Sequence, residues 1–123
     1  MRVLIIEDEP ALRNTLARML RRNFEVEIGM AESADEAIEL LTTRMADRPF
    51  DFVVSDFNLL GTRTGGDVLE WVKEHASHLV QRFVFFSGNP AVEKLHPYVV
   101  PKGGSANDVC MLIKTLLESA NNQ

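Results

Sequence analysis

Cysteine, long apolar runs and excess positive charge are all scarce in this sequence of 123 residues. The single cysteine, Cys110, excludes an internal disulfide and a cysteine-based zinc site, as is typical in a reducing cytosol. No apolar run approaches the roughly 18 residues of a membrane span, and no signal-peptide pattern is present, so we expect a cytoplasmic protein without membrane association. Acidic residues outnumber basic ones 18 to 13, giving a net charge of −5, which argues against direct nucleic acid binding.

Short apolar runs alternate with helical patterns along the chain. Continuous runs that end in polar residues are typical of strands buried on both faces of a parallel sheet, and an alternating run indicates an edge strand. Strands that alternate with helices predict one α/β domain with a doubly wound parallel sheet. The predicted strands are 3–6, 25–30, 52–54, 83–86 and 98–100, and the predicted helices are 10–22, 34 to about 47–49, a short one around 68–72, and one that begins after Ser105.

The segment between the fourth and fifth predicted strands is too short for an ordinary helical crossover. Only residues 88–97 separate the two strands, and they include Pro90 and Pro97, which disfavour a helix interior. A parallel crossover normally takes a dozen or more residues and includes a helix. We therefore expect the fourth helix to be a single turn or absent.

Polar side chains follow four of the predicted strands at the point where each strand ends. Glu7 and Asp8 follow the first, Asp56 the third, Ser87 the fourth and Lys102 the fifth. Ligands of open parallel sheets bind beyond the carboxyl ends of the strands, so we expect these side chains to converge. Clustered carboxylates suit Mg²⁺, which commonly binds carboxylates together with a phosphate. A carboxylate can also form an aspartyl phosphate as a nucleophile, and Asp56 is the natural candidate.

The ordered set of motifs resembles a known family. Residues 3–10 read VLIIEDEP, residues 53–56 read VVSD, and Ser87-Gly88 and Lys102 follow at later strand ends. Together they resemble the receiver domain of two-component response regulators over essentially the whole chain. The resemblance implies a flavodoxin-like, five-stranded sheet in the order 2-1-3-4-5. It also implies transfer of a phosphoryl group from the phosphohistidine of a sensor histidine kinase or histidine phosphotransfer protein to Asp56, with a conformational switch that controls an unknown downstream protein.

The same resemblance implies a cofactor and roles for individual residues. Mg²⁺ would be the cofactor, and its ligands would be Glu7, Asp8, Asp56 and the backbone carbonyl of Asn58. Ser87 would bond a phosphoryl oxygen, and Lys102 would pair with the phosphate. Exposed positions on the first helix would meet the kinase-side partner, among them Arg13, Asn14 and Ala17.

The chain departs from the family pattern around its last strand. Lys102 precedes Gly103 where the family usually has proline, and Tyr98 lies one position away from the family's aromatic switch residue. We therefore carry over neither the aromatic switch nor the usual dimerisation face. In the loop after Asp56, either Gly65 or Gly66 fills the family's glycine position.

We expect residues 1–120 to form the receiver domain, with 121–123 as a tail and no output domain. Such a domain would catalyse only its own phosphorylation and dephosphorylation, with no external substrate. One alternative is a pseudo-receiver that binds partners without phosphorylation. Another is a small Mg²⁺-dependent phosphohydrolase, although Asn58 stands where the haloacid-dehalogenase type needs a second acid. The chain as a fragment of a larger hybrid protein is a further alternative.

Overall fold

Five parallel strands form one sheet in the order β2-β1-β3-β4-β5, which confirms the predicted topology. The structure is a computed structural model that describes residues 1–44, 47–103 and 105–121. Residues 47–49, where the second helix is predicted to end, are not helical, so that prediction is wrong, and the helix ends at Arg44. Met45, Ala46, Gly104 and residues 122–123 lie outside the described residues. The strands are β1 (Arg2–Ile6), β2 (Glu27–Ala31), β3 (Phe52–Ser55), β4 (Phe83–Ser87) and β5 (Val99–Pro101).

Among the described residues, four α-helices and two 3-10 segments connect and flank the strands. The third helix is longer than predicted because Thr64 opens it with a capping box, in which Thr64 and Asp67 each bond the other's backbone N–H. The sequence interpretation missed this cap. The helices are α1 (Pro10–Asn23), α2 (Ala34–Arg44), α3 (Gly65–His75) and α4 (Ala106–Asn121), and the 3-10 segments are Ser77–Arg82 and Pro90–Lys94.

The core has two layers, one on each face of the sheet. Leu4 and Ile6 of β1 pack towards α2 and α3, whereas Val3 and Ile5 pack towards α1 and α4. All four side chains are fully buried. Because successive side chains of a strand point to opposite faces, a strand covered on both faces must be apolar throughout. This burial explains the continuous apolar runs in the sequence.

The crossover from β4 to β5 contains a single 3-10 turn, Pro90–Lys94, in place of a fourth helix, as predicted. The Asn89 side chain caps this crossover turn by accepting a hydrogen bond from the Ala91 N–H at 3.0 Å. His96 then anchors the end of the crossover, because its Nε2 hydrogen-bonds the Phe83 carbonyl in the interior. Burial lowers the pKa of His96, which favours the neutral imidazole. Side-chain hydrogen bonds therefore hold the short crossover at its beginning and at its end.

Candidate functional site

The carboxyl ends of β1 and β3 bring three carboxylates together. One side-chain oxygen from each of Glu7, Asp8 and Asp56 lies within 4.8 Å of the others, and we call this group the acidic cluster. Glu7 and Asp56 are buried, with 2% and 7% of their surface exposed. The cluster follows from the parallel register, in which Ile6 of β1 is paired with Ser55 of β3.

Glu7 is fixed through both its backbone and its side chain. Its N–H donates to the Ala31 carbonyl at 3.0 Å, and its Oε2 accepts from the Glu9 N–H at 3.3 Å. Burial, followed by a hydrogen bond with the Asp8 side chain, raises the pKa of Glu7 from 4.5 to about 7, although Lys102 opposes the shift. Near neutral pH this carboxyl group therefore holds a proton part of the time.

Lys102 is the cation that faces the acidic cluster. Its Nζ lies 2.6 Å from Asp56 Oδ2 and 3.1 Å from Glu7 Oε1. Burial alone would lower the pKa of Lys102, but Asp56 and Glu7 outweigh that effect and raise it above its usual value. The side chain therefore stays an ammonium ion at neutral pH, next to the carboxylate of Asp56.

The backbone at Asp56 is held from several directions. Its N–H donates to the Ile6 carbonyl at 3.0 Å, and its carbonyl accepts the Ser55 hydroxyl at 2.7 Å. A Cβ built on Gly65, the first residue of α3, would lie 2.1 Å from the Asp56 carbonyl oxygen. A Cβ on Gly66 would instead meet the flexible edge of the Phe57 ring at 2.8 Å. Only glycine fits at position 65, so Gly65 is the residue that lets α3 approach the Asp56 backbone.

Ser87 and Asn58 make no hydrogen bond to the acidic cluster within the described residues. Ser87 ends β4 and is 3% exposed, and its hydroxyl oxygen accepts the Asn89 N–H at 3.1 Å. The Lys102 N–H donates to the Ser87 carbonyl at 3.2 Å, so the backbones of these two residues are adjacent. Asn58 is exposed in the loop two residues after Asp56.

An open groove of about 180 Å³ adjoins Ser87 and Lys102 on the crossover side. The crossover turn forms one wall through Pro90 and Glu93, and β5 forms the other through Val99. A Cβ on Gly88 or Gly103, which also line the groove, would meet no described atom within 4 Å. This side of the site therefore has free space that the acidic cluster lacks.

The surface predicted for the kinase-side partner differs from expectation. Ala17 is 1% exposed, because it faces the core layer beneath α1, so the expectation that it meets a partner is wrong. The Arg13 side chain is only 12% exposed and bonds within the chain. Asn14 is exposed, as expected.

Comparisons with known proteins agree with this geometry. A family model of the response regulator receiver domain matches residues 3–97. The chain is similar in structure to a receiver domain protein of Clostridium thermocellum, with a TM-score of 0.80, 19% identity and coverage of 98% of this chain and 96% of that one. It is also similar to the response regulatory domain of mrkE from Klebsiella pneumoniae, with a TM-score of 0.80, 18% identity and full coverage of both chains.

A third similar structure is the receiver domain of the hybrid histidine kinase CckA. It has a TM-score of 0.77 and 25% identity, over 95% of this chain and 99% of that one. A search of curated proteins found no match. The family match covers most of the chain, and the chain belongs to the response regulator receiver domain family. Within the described residues, no helix combines the length and apolar character that crossing a membrane requires.

Proposed function

We propose that Asp56 accepts a phosphoryl group from the phosphohistidine of a sensor kinase or phosphotransfer protein, and that this modification controls binding to a downstream protein. The observation that carries the proposal is the contact between Lys102 Nζ and Asp56 Oδ2 beside the acidic cluster. The cluster offers a nucleophile, and the ammonium ion offers charge for the phosphoryl oxygens. Residues 1–120 would form the functional unit.

The acidic cluster fits Mg²⁺. Hard oxygen ligands within 4.8 Å of one another match the preference of this ion for carboxylates, waters and phosphate. Glu7, Asp8, Asp56 and the backbone carbonyl of Asn58 would hold it. Bound Mg²⁺ would supply positive charge to the phosphoryl oxygens.

The reaction needs few chemical steps from the chain itself. A carboxylate oxygen of Asp56 attacks phosphorus, a P–O bond forms, and the P–N bond breaks with its electron pair returning to the donor imidazole. Lys102 would bond the phosphoryl oxygens, which requires the ammonium form that its raised pKa favours. Ser87 would add a hydroxyl donor, because its oxygen accepts from Asn89 and its own proton remains available. Catalysis would therefore be mainly positioning and charge stabilisation.

A phosphoryl group on Asp56 would change the crossover side of the site. It adds negative charge and strong acceptors next to Lys102, whose backbone N–H bonds the Ser87 carbonyl. The space beside Gly88 and Gly103 allows the neighbouring backbone to adjust without a clash. A partner that binds one arrangement better than the other would then respond to phosphorylation.

Labelling with a small phosphodonor tests the proposal. The protein is incubated with acetyl phosphate and Mg²⁺, and incorporated phosphoryl is measured for the wild type, Asp56→Asn and Asp47→Asn. Asp47 is an exposed aspartate in the loop before the amino end of β3, so it is a matched control at the opposite edge of the sheet. We expect one Mg²⁺-dependent phosphoryl group on the wild type and on Asp47→Asn, and none on Asp56→Asn.

Two results would contradict the proposal. Unchanged labelling of Asp56→Asn would show that the acceptor lies elsewhere. A wild type that binds no Mg²⁺ and takes no phosphoryl group would instead favour a binding module that acts without phosphorylation.

A further inference from the structure

The Arg13 side chain folds back against the backbone of Glu7, which belongs to the acidic cluster. Its Nη1 donates to the Glu7 carbonyl at 2.9 Å, and its Nη2 lies 3.3 Å from Glu32 Oε1. Only 12% of the Arg13 side chain is exposed, whereas 63% of the Glu32 side chain is. Helical side chains lean towards the amino end of their helix, so Arg13, one turn into α1, can reach back over the first turn.

The carbonyl that Arg13 holds belongs to the peptide bond between Glu7 and Asp8. This peptide is planar, so fixing its oxygen restricts the orientation of the following Cα, which carries the Asp8 side chain. The Glu7 N–H is already tied to the Ala31 carbonyl at 3.0 Å. Arg13 binds the carbonyl of the same residue. Glu7, which directly follows β1, is therefore held by hydrogen bonds at both its N–H and its C=O.

The ion pair with Glu32 is the weaker of the two contacts. Exposed ion pairs contribute about 0–1 kcal/mol, and Glu32 is mostly in solvent. A guanidinium that donates to a backbone carbonyl while largely buried holds a more defined geometry. The hydrogen bond to Glu7 is therefore the contact through which Arg13 acts on the site.

We infer that Arg13 is a positioning residue that orients Glu7 and Asp8 for divalent cation binding. The inference rests on the proposed function, because it takes the acidic cluster to hold Mg²⁺. Outer contacts that orient metal ligands commonly change metal affinity about 10-fold to 100-fold when removed. Removing a nearby cation would, through charge alone, strengthen Mg²⁺ binding. Weaker Mg²⁺ binding after loss of Arg13 would therefore be explained by lost positioning and not by lost charge.

Titration with Mg²⁺ alone, followed by calorimetry, tests this inference. We expect Arg13→Met to raise the Kd for Mg²⁺ about tenfold or more. Arg13→Lys should recover part of the affinity, because an ammonium can still donate one hydrogen bond to the Glu7 carbonyl. Glu32→Gln, which keeps that hydrogen bond, should stay within about twofold of the wild type. Arg18→Met is the matched control, since Arg18 is exposed on the same helix.

Urea unfolding of the same variants in magnesium-free buffer separates positioning from stability. A merely structural role would lower the free energy of unfolding of Arg13→Met but leave its Kd equal to that of Arg18→Met, which would overturn the inference. If Arg13→Met does not fold, Arg13→Ala, which also removes the hydrogen bond to Glu7 and suits a helix, decides the matter: a raised Kd supports the inference and a Kd equal to that of Arg18→Met overturns it. A wild type that binds no Mg²⁺ would overturn the proposed function and this inference together. Tight Mg²⁺ binding by both the wild type and Arg13→Met would overturn this inference alone.

Discussion

The carboxyl edge of the sheet has two halves that are built differently. The acidic half, at the ends of β1 and β3, is closely packed, and a Cβ on Gly65 would lie 2.1 Å from the Asp56 carbonyl oxygen. The crossover half, at the ends of β4 and β5, is open, and a Cβ on Gly88 or Gly103 would meet no described atom within 4 Å. Lys102 joins the halves, since it follows β5 and contacts Asp56 and Glu7.

This difference suggests how chemistry and response are divided. Binding of a metal ion and a phosphoryl group requires side chains that are held in place before the ligand arrives. In the acidic half, close packing holds them. A response to phosphorylation needs a segment with more than one available arrangement, and the crossover half supplies the space. The short fourth crossover leaves the three acids in place, because they follow β1 and β3, and Lys102 still reaches Asp56 and Glu7 from the end of β5.

The largest contrast between the halves is expected for glycine substitutions. Gly65→Ala should lower the free energy of unfolding by about 3 kcal/mol, because the added methyl group overlaps the Asp56 backbone and forces α3 to move. Gly88→Ala should change it by less than about 0.5 kcal/mol. Urea unfolding of both variants measures the contrast. Equal effects would show that the two halves are packed alike.

The pKa of Glu7 predicts a pH dependence that originates in the acidic half. The folded-state pKa of about 7 lies above the ordinary value of 4.5 for a glutamate, so the folded state binds more protons between these two values. The free energy of unfolding in magnesium-free buffer should therefore fall as pH rises from about 4.5 to about 7, by about 3 kcal/mol. Glu7→Gln should lack this fall, whereas Glu39→Gln, an exposed control on α2, should retain it. A fall that persists in Glu7→Gln would assign it to another group.

A substitution at His96 tests whether the crossover is anchored. His96→Leu should lower the free energy of unfolding by about 1.5 kcal/mol, because the Phe83 carbonyl loses its hydrogen bond in the interior. His78→Leu changes an exposed histidine and serves as the control. Urea unfolding compares the two variants, and a loss for His78→Leu as large as for His96→Leu would contradict the anchoring role.

Lys102→Met should have a smaller effect, with a sign opposite to that of Arg13→Met. Removing the ammonium leaves the acidic cluster more negative, so Mg²⁺ should bind about tenfold more tightly, a difference of about 1.4 kcal/mol. Labelling by acetyl phosphate should nevertheless slow, because the phosphoryl oxygens lose a donor. Calorimetry with Mg²⁺ measures the affinity. Weaker Mg²⁺ binding by Lys102→Met would mean that the lysine organises the cluster instead of competing with the cation.

Much of the fold could be predicted from sequence because the three central strands, β1, β3 and β4, are covered on both faces. A strand such as β1 must then be apolar throughout and must end in the polar residues that line the edge, so the parallel sheet and the acidic cluster follow together. The order of the strands rests on the resemblance to receiver domains. The short crossover was predictable from its length and its two prolines. The ends of the strands could be predicted less accurately. For example, β2 begins at Glu27, two residues later than predicted.

The contacts between elements could not be predicted in the same way. Sequence left Gly65 and Gly66 equivalent, because only the approach of α3 to the Asp56 carbonyl distinguishes them. Arg13 lies on a helix rich in arginine, and no periodicity shows that its side chain turns back to the Glu7 carbonyl. Ala17 was predicted to be exposed because the helical pattern does not state how wide the buried face of α1 is.

Chemical trapping of the phosphorylated protein tests the central claim most directly. Borohydride reduces an acyl phosphate on aspartate to homoserine, which peptide mass spectrometry then locates in the chain. After incubation with acetyl phosphate and Mg²⁺, the account predicts homoserine at position 56, and none when Mg²⁺ is removed by a chelator. Homoserine at position 8, or labelling that does not require Mg²⁺, would contradict it.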